Sequence, residues 1–147
     1  MKLSLQWLNE FVEIKDFFSC PEKLADQLNS SGIEVESIED QGRKYQHVVV
    51  GEIKEKGSHP HADRLTLCQV DVGDGTLKQI VCGAKNHQKG DRVVVALPGA
   101  ILPGDFAIKI SRIRQVESQG MLCSEVELGL ALESEGIMIL PSSAPFG

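Results

Sequence analysis

The sequence predicts a mainly β protein of α+β class: a small closed β-barrel of roughly five strands behind a short helical and strand-forming N-terminal segment. Two observations carry this. From residue 48 onward, short apolar runs recur between turns rich in glycine and proline, with no internal repeat and no low-complexity tract. Aromatic residues make up only 5% of the 147-residue chain against 41% hydrophobic residues overall, so the interior falls to Val, Ile and Leu. That hydrophobic fraction excludes global disorder, and the length suits one domain with an appendage.

The appendage is residues 1–40. Leu5, Leu8, Phe11 and Val12 follow helical spacing. Ser19-Cys20-Pro21-Glu22 reads as a capping box for a second helix, in which Leu24 and Leu28 share a face and Gly32 supplies the left-handed terminus. Ile33-Glu34-Val35-Glu36 alternates as a half-buried strand does. So short a segment buries little surface alone and must pack on something else.

The barrel domain is 41–147. Strands are expected at 48–56, 65–72, 77–82, 92–97 and 107–112, with short ones at 121–123 and 137–140. Gly73-Asp74-Gly75 is a hairpin turn. In the second strand the apolar phase shifts between Leu67 and Cys68, the mark of a β-bulge. Ser124-Glu125-Val126-Glu127 is a further capping box and predicts a short helix. The OB-fold is the natural architecture for this strand count.

The net charge of −6 hides an uneven distribution. Residues 1–40 are net −6, residues 115–147 hold five acids and no Lys or Arg, and residues 41–114 hold twelve Lys and Arg against seven acids. A phosphate responds to the field within about a Debye length, ~8–10 Å, so the basic middle matters more than the total.

No stretch reaches the ~20 apolar residues of a membrane helix, and the N-terminus lacks the pattern of a signal peptide. The four cysteines form no C-x-x-C pair and read as reduced thiols. His59-Pro60-His61-Ala62-Asp63 lacks the partners of a zinc site and reads as a rigid loop, with Asp63 capping locally. A Cys nucleophile with His87 as base is disfavoured, because Cys68, Cys82 and Cys123 sit in apolar strand patterns. No phosphate-binding loop or nucleophile elbow is present.

The loop at 83–90, Gly-Ala-Lys-Asn-His-Gln-Lys-Gly, is polar, cationic and bounded by glycine. Lys85 offers charge and Asn86 hydrogen bonds to a phosphate backbone. Arg112 and Arg114 are two apart and would share a strand face, and Ser118, Gln119 and Met121 add hydroxyl, amide and thioether groups. Trp7 and Tyr45 read as structural, so backbone shape rather than base stacking is the expected mode of recognition.

HPHADRLTLCQVDVG (59–73), QIVCGAKNHQKGDRVVVALPGAILPG (79–104) and VESQGMLCSEVELGL (116–130) together resemble the tRNA-binding OB domain. That domain occurs in free-standing tRNA-binding proteins and in aminoacyl-tRNA synthetases. SLQWLNEFVEI (4–14) and LADQLNSSGIEVESIE (24–39) are similar to the start of the bacterial phenylalanyl-tRNA synthetase β subunit, in which such a segment precedes the OB domain. The resemblance implies an N-terminal fragment of that subunit in a cytoplasmic α2β2 ligase. Its partners would be tRNA, the α subunit and the rest of β. ATP and magnesium would act elsewhere in the enzyme, and residues 1–40 would belong to a domain completed later in β. By resemblance the tRNA contacts are Lys85, Asn86, Arg114, Ser118, Gln119 and Met121, with Arg64 and Arg112 as additions. Two positions depart from the family pattern: His87 replaces a branched aliphatic, and Gln115 replaces the glycine after the arginine. Two alternatives stand beside this one, a free-standing tRNA binder or chaperone and a protein-interaction module.

Overall fold

The computed structural model describes residues 1–147. They separate into two compact units, Met1–Asp40 and Gln41–Gly147.

In the first unit, α1 (Leu5–Leu8) is a single turn capped by Ser4, whose hydroxyl accepts from the Trp7 N–H. It stops short of Phe11 and Val12, because the chain turns at Asn9 and the Asn9 side chain accepts from the Ile14 N–H at 3.0 Å. The next helix, α2 (Pro21–Ser30), differs from expectation at its start. Cys20, not Ser19, is the N-cap, and no side chain caps it. Pro21 in the first turn lacks an N–H, which leaves one fewer donor to satisfy. At the other end Gly32 is left-handed (φ 86°). The Gly32 N–H bonds Asn29 and the Ile33 N–H bonds the Leu28 carbonyl, which together make a Schellman terminus.

The expected strand at 33–36 does not form. The Val35 N–H donates to the Asn29 side chain at 2.8 Å instead of to a neighbouring strand. Ile14 is the one buried residue of this unit. Trp7, expected to be structural, is 55% exposed and meets Phe11 edge to face at 5.5 Å.

The second unit is built on β1 (Val48–His59), β2 (Ala62–Asp71), β3 (Leu77–Cys82) and β4 (Arg92–Ala96). Six shorter strands follow: β5 (Ile101–Leu102), β6 (Phe106–Ala107), β7 (Ser111–Ile113), β8 (Val116–Ser118), β9 (Met121–Leu122) and β10 (Ile139–Leu140). The main sheet runs β10-β4-β1-β2-β3, with β9 also paired to β4.

The segment 117–119 closes the barrel against β3. The Gln119 N–H donates to the Gln79 carbonyl, the Gln79 N–H to the Gln119 side chain, and the Val81 N–H to the Ser118 hydroxyl. Gly120 passes so close to β4 that a Cβ there would lie 2.6 Å from the Ala96 carbonyl oxygen. No other residue fits that crossing.

Burial follows from this closure. Ile53, Cys68, Val70, Ile80, Val93, Val95 and Leu122 fill the barrel. The outward face of β4, Val94 and Ala96, is covered as well, by Ala100, Leu102, Ile108, Cys123 and Leu128. Tyr45 packs on this second layer and its hydroxyl donates to the Leu128 carbonyl at 2.9 Å.

Three further expectations need correction. No bulge falls between Leu67 and Cys68; one lies on β1, and a second irregularity leaves residues 63–65 of β2 unpaired beside the β1–β2 turn. Ile53 faces Val70 and Glu55 faces Gln69, which leaves Lys54 as the extra residue, while the β2–β3 register is unbroken from Thr66 to Asp71. The strand expected at 107–112 is split between β6 and β7, which belong to two separate hairpins. The box at Ser124 forms, since Ser124 and Glu127 exchange bonds at 2.7 and 3.3 Å, but it caps only a turn. The Gly73-Asp74-Gly75 turn joins β2 to β3 as expected. Lys78 beside it and the Thr76 N–H and hydroxyl hold the Asp74 carboxyl down to about 2.

With one buried side chain to hold it, the first unit is expected to open easily. Amides of residues 1–40 are expected to exchange much faster than those of β1 to β4; equally slow exchange in both units would contradict this.

Candidate nucleic-acid interface

The basic residues that the sequence singled out lie on segments tied together by the β1–β2 turn. His59 closes β1 and is 4% exposed. Its Nδ1 accepts from the His61 N–H at 3.1 Å, and its Nε2 lies 3.0 Å from the Ile113 carbonyl, next to Arg114. Leu65, which follows Arg64, packs beside Gly83 at the start of the 83–90 loop. Lys56 of β1 reaches the same loop and donates to the His87 carbonyl at 2.6 Å. The two strands that flank the turn thus reach the 83–90 loop, and His59 at the turn reaches the residue before Arg114. Asp63 shows no cap at this turn; the Nδ1 of His59 holds it.

Arg64, Lys85, Arg112 and Arg114 are all exposed. None of them takes part in an ion pair among the described residues, whereas Lys54 and Arg92 both pair with Glu52. Free exposed cations retain their charge for an anionic partner.

Arg112 and Arg114 do not share a strand face. Arg112 is on β7, but Arg114 and Gln115 form the two-residue turn to β8, with φ of 51° and 70°. Two positive φ values in succession characterise a type I′ hairpin, which favours glycine. Gln115 therefore keeps the turn at the cost of a left-handed backbone. Gln115→Gly is expected to stabilise the unit by about 0.5–1 kcal/mol in urea unfolding, and a loss of stability would argue against the turn.

The remaining candidates are more structural than their chemistry suggested. Ser118 is 1% exposed; its hydroxyl accepts from the Val81 N–H and donates to the Gly120 carbonyl. Asn86 is exposed, yet its amide clasps the backbone of Ile137, donating to the carbonyl at 2.8 Å and accepting from the N–H at 3.0 Å. Gln119 is half-buried, bonded to Gln79 and to the Glu117 carboxylate. Met121 packs on the outer core layer.

His87 was missed as a core residue. It is 2% exposed. The Thr66 hydroxyl donates to the Cys82 carbonyl, so it accepts from His87 Nε2–H at 3.2 Å. That leaves Nδ1 buried as a bare lone pair with no partner.

Cys68 Sγ lies 3.4 Å from the same Nε2, which brings together the thiol and base weighed in the sequence. Burial raises the Cys68 thiol and lowers His87, so the proton stays on sulfur and the pair is not a nucleophile. Burial also pushes Cys123 up to about 12. Among the described residues no group of three or more His, Cys, Asp and Glu could hold a metal ion.

Because burial lowers the folded pKa of His87 below its ordinary 6.5, the unfolded chain takes up the proton first as pH falls. Its contribution to stability is complete above pH 6.5 and declines below it. The melting temperature is expected to fall between pH 7.5 and 5.5 by less in His87→Ile than in the unaltered chain; an equal fall would rule this out.

An antiparallel barrel with unpaired cations on its loops has the architecture of a nucleic-acid-binding module of OB type. Residues 48–147 match the family model described as putative tRNA binding domain, and the chain belongs to that family. All 147 residues align at 58% identity with the phenylalanine–tRNA ligase β subunit of Bdellovibrio bacteriovorus, covering 18% of that protein. The corresponding β subunit of Fusobacterium nucleatum is 54% identical over the same span, again 18% of its length. The chain thus spans less than a fifth of these curated relatives. A crystal structure of a MetRS related protein from Pyrococcus horikoshii shares the fold, with a TM-score of 0.53 at 21% identity over 76% of this chain and 95% of that one. No helix is long and apolar enough to cross a membrane.

Proposed function

We propose that this chain is the N-terminal part of a phenylalanine–tRNA ligase β subunit, and that its barrel docks tRNA without taking part in catalysis. The observation that carries the reading is the set of unpaired cations Arg64, Lys85, Arg112 and Arg114 in a domain of the tRNA-binding family. Lys85 and the hairpin arginines supply phosphate contacts. Asn86, Ser118, Gln119 and Met121 act mainly by holding the segments that carry or adjoin them. Domain 1–40 packs with a later part of the same subunit, which covers its exposed Trp7, Phe11 and Val12. In the whole ligase the partners are tRNA, the α subunit and the rest of β in an α2β2 assembly in the cytoplasm. ATP and magnesium act outside this chain.

Phosphate contacts lend affinity that falls with salt and carries little sequence information. Labelled tRNA should bind in fluorescence anisotropy, more weakly as salt rises and with little preference for phenylalanine tRNA. Lys85→Ala combined with Arg114→Ala is expected to flatten the dependence of log affinity on log salt by roughly 0.7–0.9 per contact removed. Binding that ignores both salt and the substitutions would overturn the reading.

A further inference from the structure

We infer that His59 is a positioning residue for tRNA: it pins the β7–β8 hairpin, and with it Arg112 and Arg114, to the β1–β2 turn. The inference rests on the reading of the barrel as a tRNA-docking surface and adds a residue that touches no phosphate.

The geometry fixes the chemistry of the ring. A backbone N–H can only donate, so His59 Nδ1 must accept from His61 N–H at 3.1 Å. The neutral ring then carries its proton on Nε2, which donates to the Ile113 carbonyl at 3.0 Å. Both nitrogens are satisfied although the residue is only 4% exposed. One side chain thus fastens the local turn with one nitrogen and a segment 54 residues away with the other.

The hairpin needs such a fastening. Ser111, Arg112 and Ile113 of β7 are all exposed, and β7 pairs only with β8. On its other side β8 is held by Ser118 and by the Glu117 carbonyl, which accepts from the Gln79 side chain at 2.8 Å. Ser118 lies at the base of the hairpin and Glu117 faces Arg112 one pair above it, so neither reaches the tip. At the tip, the Ile113 carbonyl next to Arg114 is held from outside the hairpin by His59. Arg114 and Gln115 have left-handed backbones, so the turn itself is strained. A two-stranded hairpin has little stability without outside support. Freed at its tip, it would spread Arg114 over many positions, and phosphate binding would have to order it again.

Two substitutions separate the roles of the ring nitrogens. In His59→Gln the side-chain amide N–H reaches the place of Nε2 and keeps the bond to Ile113. In His59→Asn the side-chain oxygen takes the place of Nδ1 and keeps only the bond to His61. In the 147-residue chain, His59→Asn is expected to speed amide exchange across 111–118 while β1 to β4 stay protected. It should also weaken binding of labelled tRNA about three- to tenfold, as loss of one hydrogen bond does, with His59→Gln close to the unaltered chain. In an Arg112→Ala/Arg114→Ala background His59→Asn should bring no further loss.

Equal loss in the two His59 variants, unchanged exchange in the hairpin, or a loss that persists without the arginines would each overturn the assignment. If the unaltered chain binds no tRNA, the functional reading falls, while the exchange comparison still decides whether His59 pins the hairpin.

Discussion

The closing seam of the barrel, where β3 meets residues 117–119, is the constraint on which the rest of the second unit depends. A small sheet with open edges leaves backbone donors and acceptors unsatisfied, and closure removes that cost. Here side chains share the task with the backbone. The Ser118 hydroxyl takes the Val81 N–H and the Gln119 amide takes the Gln79 N–H. Gly120 then lets the chain pass against Ala96 and pair with β4. Without the seam, Ile80, Leu122 and their neighbours would lose one wall of the core.

The same seam fixes the base of the β7–β8 hairpin, and β4 fixes what lies on the opposite side. Because β4 is buried on both faces, the barrel interior and the outer layer of Ala100, Leu102, Ile108 and Leu128 share one strand. The 83–90 loop is held from three sides: by Lys56 at the His87 carbonyl, by Thr66 at the His87 ring, and by Asn86 at Ile137. Polar residues of the kind that contact RNA are thus engaged in holding the scaffold. The charged residues beside them are left free. That division suits a surface that meets a phosphate backbone, which needs fixed cations more than fixed amides.

Desolvation decides the chemistry of the interior. Cys68 and His87 lie side by side, but Nε2 already carries its proton and the buried site disfavours both the thiolate and the imidazolium. A polar pair in a barrel core is then inert as a reagent and sensitive to acid as a structure.

Much was legible in the sequence where local chemistry dominates. The limits of β3, the Gly73-Asp74-Gly75 turn, the Schellman end of α2 and the basic middle all follow from residue types a few positions apart. Other features depended on partners distant in the chain. Ile33-Glu34-Val35-Glu36 alternates like a strand, but a strand needs a neighbour and Asn29 took the Val35 N–H first. Ser118 and Asn86 carry groups fit for RNA, yet residues 37 and 51 positions away claimed them. His59 and His87 looked like loop residues until the fold enclosed them. The sequence by itself determined the barrel class and the basic middle, because these rest on composition, spacing and short-range turns, while the family was carried by the resemblance of three long segments. Which polar groups face outward was decided by the tertiary structure alone, since burial and hydrogen-bond competition arise only when the strands meet.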